Sequence, residues 1–326
     1  MSVKITPEYI DLLNQAVERE FKVSIQYFLQ HAKMEKLLRR TLPENILLDK
    51  TTYDAVGKLL HEISITEMKH AADIMERIYL LGGEATTKAS KPEIGNSISE
   101  FANLDMKAEE EALTLYRQII RKTREMEDWE TRKLFQKIYR DELEHFYKFQ
   151  EYTAFQDEVE EPSKVPLPEW RKIYTDDYFA LLNKAVAAEI TGIIQYTNQH
   201  EKAALLELRI KKTPLETITD TNKANVVSKL LKEIFLVEMQ HLEKISERIY
   251  LLDGEATVNP DPLPAIGETV DDMLRLDHAL ESTAISLYRE IIAEALKRGD
   301  TTTRRMFEEI VQQEEEHFWN FDDFVR

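Results

Sequence analysis

Apolar residues recur at steps of three and four along most of this chain, which is the period of helices with one buried face. In the first half the pattern predicts four helices, over residues 6–38, 52–81, 98–125 and 127–155. Thr6-Pro7 is typical of a helix start, and Gly82-Gly83 of a helix end. The connection between the second and third helices is long enough to cross a bundle, whereas the third and fourth are joined by a short turn.

The second half of the chain repeats the first. Residues 58–86 and 229–257 share 19 identities in 29 ungapped positions. Residues 12–31 likewise pair with 181–200, and residues 109–120 with 281–292. The chain is therefore a tandem duplication. We expect an all-α fold with a four-helix bundle at 1–157, a proline-containing linker at 158–172 and a second bundle at 173–326.

Composition narrows the classes of function. The chain has 61 acidic and 43 basic residues, a net charge of −18 and no cysteine. Such a charge repels phosphate, so we expect no nucleic-acid partner. The lack of cysteine excludes disulfides, thiolate metal sites and iron–sulfur clusters. No signal-like or membrane-spanning apolar run is present, so we expect a cytoplasmic protein without a membrane partner.

Four of the eight histidines follow a glutamate by three residues, more often than random placement predicts. The pairs fall on the second and fourth helices of each half, and the spacing places both side chains on one helix face. Each pair can therefore bind one metal ion. The pairs are Glu67/His70, Glu142/His145, Glu238/His241 and Glu314/His317.

The first and third helices of each half supply one further matched glutamate. The repeat aligns Glu20 with Glu189 on the first helix. On the third helix Glu109, Glu110 and Glu111 are adjacent, but the second half keeps only Glu281, which selects Glu109. Four carboxylates and two imidazoles per half suit two iron or manganese ions, whereas a lone zinc would not need so many ligands. The alternative is a set of solvated helix faces in an acidic protein.

These segments resemble bacterioferritins of the ferritin-like di-iron family, as two fused subunits. The resemblance rests on EFKVSIQYFLQH (20–31), EMKHA (67–71), ERIYLLGG (76–83), RDELEHF (140–146) and IGETVDDMLRLDHALE (266–281). It implies ferritin-like bundles, each with a di-iron centre that binds Fe(II) and oxidises it with O2 or H2O2. The implied ligands are Glu20, Glu67, His70, Glu109, Glu142 and His145 in the first half, and Glu189, Glu238, His241, Glu281, Glu314 and His317 in the second.

The chain departs from the bacterioferritin pattern in three places. It ends nine residues after His317, without the fifth helix of that family's 24-subunit cage, so we expect a pseudo-dimer of the two halves or a low oligomer of it. Extra segments lie between the first two helices of each half, at residues 38–50 and 207–220. Asp141 precedes one helix ligand where Gln313 precedes the other, which predicts that the two centres differ.

Two further pairs of residues have open roles. Tyr27 and Tyr196 lie seven residues after the first-helix ligands, and each is either a core tyrosine with a hydrogen bond or an electron donor at the metals. Met68 and Met239 follow the second-helix ligands and point about 100° away from them. Each is either an interface packing residue or, as the bacterioferritin resemblance implies, an axial ligand to a shared haem.

Three classes of function fit the sequence. The leading one is an Fe(II)-oxidising di-iron enzyme of iron handling or oxidant defence. A rubrerythrin-type peroxide reductase is the second, and it needs an external electron donor because this chain has no cysteine. The third is a protein that binds iron or haem without turnover.

Overall fold

The helical pattern of the sequence forms eight α-helices in a computed structural model, which describes residues 5–39, 46–155, 169–210 and 218–325. Within these ranges there is no β-strand, as the all-α prediction requires. None of the described helices combines enough length and apolar character to cross a bilayer. The helices are α1 (Pro7–Leu38), α2 (Ile46–Leu80), α3 (Ile98–Glu125), α4 (Trp129–Gln150), α5 (Asp176–Ile210), α6 (Ile218–Leu251), α7 (Val270–Arg298) and α8 (Thr301–Val325).

The chain separates into two units, Met1–Ser163 and Lys164–Arg326, with four α-helices each. In the first unit α1 packs on α2 and α3 packs on α4, while α1 also contacts α3 and α2 contacts α4. The same pairs recur among α5–α8. Both units are therefore four-helix bundles, and the link from the second helix to the third crosses the bundle, as the sequence predicts.

The helix ends follow local chemistry. The Thr6 side chain accepts a hydrogen bond from the Tyr9 amide and Pro7 occupies the first turn, which confirms the predicted start of α1. The helix α2 begins at Ile46, six residues before the predicted start, because no glycine or proline interrupts 46–52. The helix α4 begins at Trp129 instead of residue 127, because Glu127 has a φ of 55° and Asp128 caps the helix.

Part of the predicted linker is ordered as helix. Residues Glu169–Ile173 form a 3-10 helix, where the sequence predicted an extended segment up to residue 172. Residues 156–168 lie outside the described residues, as do 40–45 and 211–217 of the two extra segments. The remaining residues of those segments extend the flanking helices, so residues 46–50 belong to α2 and 218–220 to α6.

The crossover of each bundle lies along its first helix and is hydrogen-bonded to it. In the first unit the Asn14 side chain donates to the Glu84 carbonyl at 3.0 Å and accepts from the Thr86 amide at 2.8 Å. Further along α1, Gln26 accepts from the Glu93 amide. Asn183 and Gln195 make the matching bonds in the second unit. The polar residues of α1 and α5 thereby satisfy loop backbone that is partly removed from water.

A buried polar network ties the second and fourth helices together at one end of each bundle. In the first unit Arg77 on α2 donates to Asp128 and Thr131 at the start of α4, both at 2.7 Å. The Tyr9 hydroxyl donates to Asp128 at 2.9 Å. In the second unit the network consists of Arg248, Asp300, Thr303 and Tyr178. This end contact fixes how α2 and α4 face each other further along, where both carry predicted ligands.

Candidate metal centres

The six predicted ligands of the first unit meet in the interior of its bundle. Each is at most 5% exposed, although four are carboxylates that would otherwise be solvated. They form two groups of four whose ligand atoms all lie within 4.8 Å of one another. One group is Glu20, Glu67, His70 and Glu142, and the other is Glu67, Glu109, Glu142 and His145. Glu67 and Glu142 belong to both groups, which is the arrangement expected of carboxylates that bridge two metal ions.

The second unit repeats this arrangement. Its six predicted ligands are at most 6% exposed and again form two groups of four. Glu238 and Glu314 are the shared members, while Glu189 and His241 complete one group and Glu281 and His317 the other. The structure therefore brings together all twelve predicted residues in two clusters. That these residues bind metal remains a prediction.

Several ligand atoms face the middle of each cluster without being hydrogen-bonded. Oε1 of Glu67 and Nδ1 of His145 are only 2.8 Å apart, but neither makes a well-directed hydrogen bond within the described residues. Glu142 Oε1 also makes no well-directed hydrogen bond within the described residues. The same holds in the second unit for Glu238 Oε1, Glu314 Oε1 and His317 Nδ1. Each of these carboxylate oxygens lies within 3.1 Å of an imidazole nitrogen, so oxygen and nitrogen atoms that can ligate a metal face one another in the buried interior. The donor sets thus fit metal ions.

Tyrosines orient the two unshared glutamates of each cluster. The Tyr27 hydroxyl donates to Glu109 Oε1 at 2.5 Å, and the Tyr116 hydroxyl donates to Glu20. In the second unit Tyr196 donates to Glu281 at 2.5 Å, and Tyr288 donates to Glu189. Tyr27 and Tyr196 are therefore at the clusters, as the sequence predicted. Tyr116 and Tyr288 were missed, although both follow the third-helix ligand by seven residues in matching segments.

His70 on α2 and His241 on α6 have different hydrogen-bond partners at the ring nitrogen Nε2. His70 Nε2 lies 3.3 Å from Asp141 Oδ2, and His241 Nε2 lies 2.9 Å from Gln313 Oε1. An oxygen only accepts, so the proton lies on Nε2 and, in the neutral ring, Nδ1 offers a lone pair to the cluster. Asp141 and Gln313, which the sequence predicts to make the two centres differ, therefore accept from Nε2 of equivalent histidines.

Burial and crowding divide the carboxylates into two electrostatic types. Burial and the charges of neighbouring glutamates raise the pKa values of Glu189 and Glu281 well above the ordinary range. Burial also acts to raise the pKa of Glu238, but the adjacent imidazoles of His241 and His317 outweigh burial and hold that pKa below its usual range. Burial lowers the pKa of His317, but Glu238 and Glu314 raise it to about 9. Protons therefore occupy part of the cluster, and a bound cation would displace them.

One residue that the sequence analysis did not consider lies inside the first cluster. Arg19 Nη1 is 3.0 Å from Glu142, 3.2 Å from Glu20 and 3.6 Å from Glu67, and Nη2 is 2.7 Å from Glu109. Its side chain is 11% exposed. The repeat places Ala188 at the equivalent position of the second unit. The difference between Arg19 and Ala188, directly before the aligned Glu20 and Glu189, is the sequence signal that could have drawn attention to this residue.

The second cluster opens onto a pocket of about 250 Å³. Ala188 and Gly192 line it from α5, and the predicted ligands Glu189, Glu281 and Glu314 line it as well. In the first unit Arg19 and Val23 occupy the positions of these two small residues in the repeat. The second cluster is therefore reachable from the pocket by a small molecule or ion.

Met68 and Met239 are buried, with exposures of 2% and 4%. A thioether in such a position suits both packing and metal ligation, so their role as haem ligands stays a prediction.

Comparison with known proteins identifies the family. The ferritin-like domain family matches residues 10–155 and 216–326. The bacterioferritin of Desulfovibrio desulfuricans is 29% identical over 143 residues, which cover 44% of this chain and 71% of the relative. That of Rhodobacter capsulatus is 32% identical over 137 residues, 42% of this chain and 74% of the relative.

A solved structure of the D. desulfuricans bacterioferritin, described as showing its diiron site in different catalytic states, is 25% identical. The match covers 49% of this chain and 83% of that one, with a TM-score of 0.41. The two bacterioferritin sequences each match less than half of this chain, as expected when one chain carries two subunit-like repeats. The chain belongs to the ferritin-like family, as a tandem pair of bundles related to bacterioferritins.

Proposed function

We propose that this chain binds Fe(II) in pairs within its bundles and oxidises it with O2 or H2O2. The observation that carries the proposal is the sharing of Glu238 and Glu314 between two adjacent four-ligand groups in a buried cluster that a pocket reaches. Membership of the ferritin-like family and the bacterioferritin relatives support the choice of iron. The same ligand set also suits manganese, so metal analysis of the native protein belongs with the test.

The residues of the second unit can hold two ferrous ions with little net charge. Four carboxylates supply four negative charges, which two divalent ions balance, while the two imidazoles bind as neutral ligands. Paired ferrous ions supply two electrons to one oxidant molecule. Tyr196 and Tyr288 orient Glu281 and Glu189 through their hydroxyls, and Gln313 fixes the tautomer of His241.

The reaction balances with either oxidant. Two Fe(II) become two Fe(III) and release two electrons, which with two protons convert O2 to H2O2, or H2O2 to two molecules of water. Burial raises the pKa values of Glu189 and Glu281, so each of these carboxyl groups would release a proton if it bound metal. The surrounding bundle interior excludes bulk water from the ligands.

Stopped-flow absorbance after mixing Fe(II) with metal-free protein tests this proposal. We expect oxidation that saturates at whole pairs of iron ions, and its loss in the double variant Glu67→Ala/Glu238→Ala, which removes one shared ligand from each cluster. The matched control is Glu76→Ala/Glu233→Ala, which removes exposed glutamates from the same two helices. Undiminished oxidation in the ligand variant would refute the proposed sites.

The same experiment separates the alternatives. Much faster reaction with H2O2 than with O2, sustained only with an added reductant, would indicate a peroxide reductase. Iron binding without accelerated oxidation would indicate a binding protein.

Two further properties implied by the bacterioferritin resemblance remain predictions. Haem reconstitution should give a Soret band that shifts in the variant Met68→Leu/Met239→Leu, and an unchanged band would assign both methionines to packing. Size-exclusion chromatography with light scattering should show a pseudo-dimer or a low oligomer. A particle of about 24 subunit-equivalents would contradict that expectation.

A further inference from the structure

Arg19 places a positive charge where the first cluster would hold metal. Its Nη1 contacts Glu20, Glu67 and Glu142, which are the three carboxylates of one four-ligand group. Its Nη2 contacts Glu109, the unshared carboxylate of the other group. One guanidinium therefore touches all four carboxylates of the centre.

These contacts are incompatible with a metal ion at the same point. Divalent ions bind carboxylate oxygens at roughly 2 Å. An ion bound to the oxygens that surround Nη1 would therefore overlap Nη1 or lie against it, with like charges in contact. Metal can occupy this group only if Arg19 withdraws.

Arg19 cannot escape the conflict by losing its charge. A guanidinium is not deprotonated in proteins, so Arg19 keeps its positive charge beside Glu142 and Glu109. It can leave only by moving, and its side chain is 11% exposed, so part of it already reaches solvent. An outward rotation would break several charge-assisted hydrogen bonds in a poorly solvated site, which opposes metal entry.

The second unit has no such competitor at the equivalent position. Ala188 replaces Arg19, and the space beside it belongs to the pocket that reaches Glu189, Glu281 and Glu314. Gly192 replaces Val23 one turn further along α5 and also lines that pocket. The predicted ligands of the two units match, so the two clusters differ in the residues around those ligands.

We propose that Arg19 is an internal cation that competes with divalent metal for the first centre, so that one chain carries a high-affinity centre in its second unit and a low-affinity centre in its first. The proposal rests on the proposed function in that both clusters bind divalent metal. It does not require oxidation. The second centre fills at low metal concentration, and the first fills only when metal is abundant enough to displace Arg19.

Equilibrium titration with Co(II) tests the proposal without redox chemistry. Visible absorption reports Co(II) with nitrogen and oxygen ligands, and dialysis with metal analysis gives the stoichiometry. In the native protein we expect one pair of Co(II) ions to bind tightly and a second pair about tenfold or more weakly, a difference of about 1.4 kcal/mol or more. Arg19→Ala should tighten the weak pair to at least the affinity of the tight pair.

The reciprocal variant Ala188→Arg adds the competitor to the second unit, and it should weaken the tight pair by a similar factor. Arg140→Ala, which removes an exposed arginine from α4, is the control and should bind as the native protein does. Circular dichroism establishes that each variant is folded before titration. If Arg19→Ala fails to fold, Ala188→Arg decides the matter alone.

Equal affinity for both pairs in the native protein would overturn the proposal, as would Arg19→Ala that leaves the second pair weak or Ala188→Arg that leaves the tight pair tight. The outcomes are separate from those of the proposed function. Unequal Co(II) binding without Fe(II) oxidation would refute the oxidase and leave this inference intact. Rapid oxidation at two centres of equal affinity would do the reverse.

Discussion

In the first unit the residue before the α1 ligand is Arg19, and in the second unit the residue before the α5 ligand is Ala188. Nε2 of the equivalent histidines contacts Asp141 in the first unit and Gln313 in the second. The predicted ligands are the same in both units. A set of carboxylates in a poorly solvated site must be balanced by some cation or by protons, so its neighbours decide how much of that balance is left for metal. Identical ligand sets therefore need not make equivalent centres.

Removing one shared ligand at a time gives the largest expected contrast. With a limiting amount of Fe(II), Glu238→Ala should lower the initial oxidation rate by roughly tenfold or more, because only the first centre, which binds metal about tenfold or more weakly, keeps all its predicted ligands. Glu67→Ala should leave most of the rate, because Arg19 already disfavours metal in that unit. Stopped-flow absorbance measures both, with Glu233→Ala and Glu76→Ala as controls. Equal losses in the two ligand variants would contradict the comparison.

Where the units are alike, their responses should match. Asp105 is fully buried one turn before Glu109, and its Oδ1 accepts hydrogen bonds from Gln26 and Gln30 at 2.7 and 2.9 Å. Burial raises its pKa to about 8, against the opposing effect of these two bonds. Asp277 is buried beside Gln195 and Gln199 in the second unit, and burial raises its pKa well above the ordinary range.

The sign of the pH effect follows from these shifts. Between the unfolded pKa of about 4 and the folded pKa of about 8, the unfolded chain releases the Asp105 proton while the folded chain keeps it. This group therefore lowers the free energy of unfolding as pH rises through that window, by up to about 1.4 kcal/mol per pH unit. Asp105→Asn keeps an acceptor for both glutamines and removes the effect.

Urea denaturation between pH 5.5 and 8.5 measures that change. Asp105→Asn should be more stable than the native protein by a few kcal/mol at the upper pH, with the difference shrinking as pH falls. Asp277→Asn should behave in the same way in the second unit. A pH-independent difference would mean that Asp105 is ionised in the folded protein.

The helices, and the meeting of the predicted ligands in two clusters, were predictable from sequence because both leave a periodic, repeated signal. Glu67 and His70 share a helix face by spacing alone, and the repeat distinguished Glu109 from Glu110 and Glu111. The helix boundaries that were predicted wrongly depend on local backbone conformation. Glu127 would continue a helix by composition, but its positive φ and the cap at Asp128 start α4 later.

Arg19 could not be predicted in the same way. It precedes Glu20, so helical geometry turns its α-carbon away from the ligand face, and only a long side chain in a packed bundle can return to the ligands. That return depends on four carboxylates from four helices being in place. Tyr116 and Tyr288 were within reach of sequence reasoning, because they repeat the seven-residue offset that drew attention to Tyr27 and Tyr196.

Variants of the two tyrosines in the second cluster test what residues at this seven-residue offset do. Tyr196 and Tyr288 each donate to a different unshared glutamate, so Tyr196→Phe and Tyr288→Phe should each lower the free energy of unfolding by roughly 1–3 kcal/mol and slow oxidation to a similar extent. Urea denaturation and stopped-flow absorbance measure these effects. A tyrosyl radical signal by electron paramagnetic resonance that disappears only in Tyr196→Phe would identify Tyr196 as an electron donor instead of a positioning residue.

The smallest expected difference in metal affinity comes from Asp141 and Gln313, which contact Nε2 of the two histidines. A carboxylate that accepts from Nε2–H makes the opposite ring nitrogen a better metal ligand than a neutral amide does, and such supporting groups contribute about tenfold or more to affinity. Gln313→Asp should therefore tighten Co(II) binding at the second centre by up to about tenfold, with the ring of His241 held in the same orientation. The matched variant Asp141→Gln should weaken binding at the first centre, and it is best measured together with Arg19→Ala so that the competing cation does not mask it. If Gln313→Asp leaves the tight pair unchanged, the residue behind the histidine has no effect on affinity, and the difference between the two centres is due to Arg19 alone.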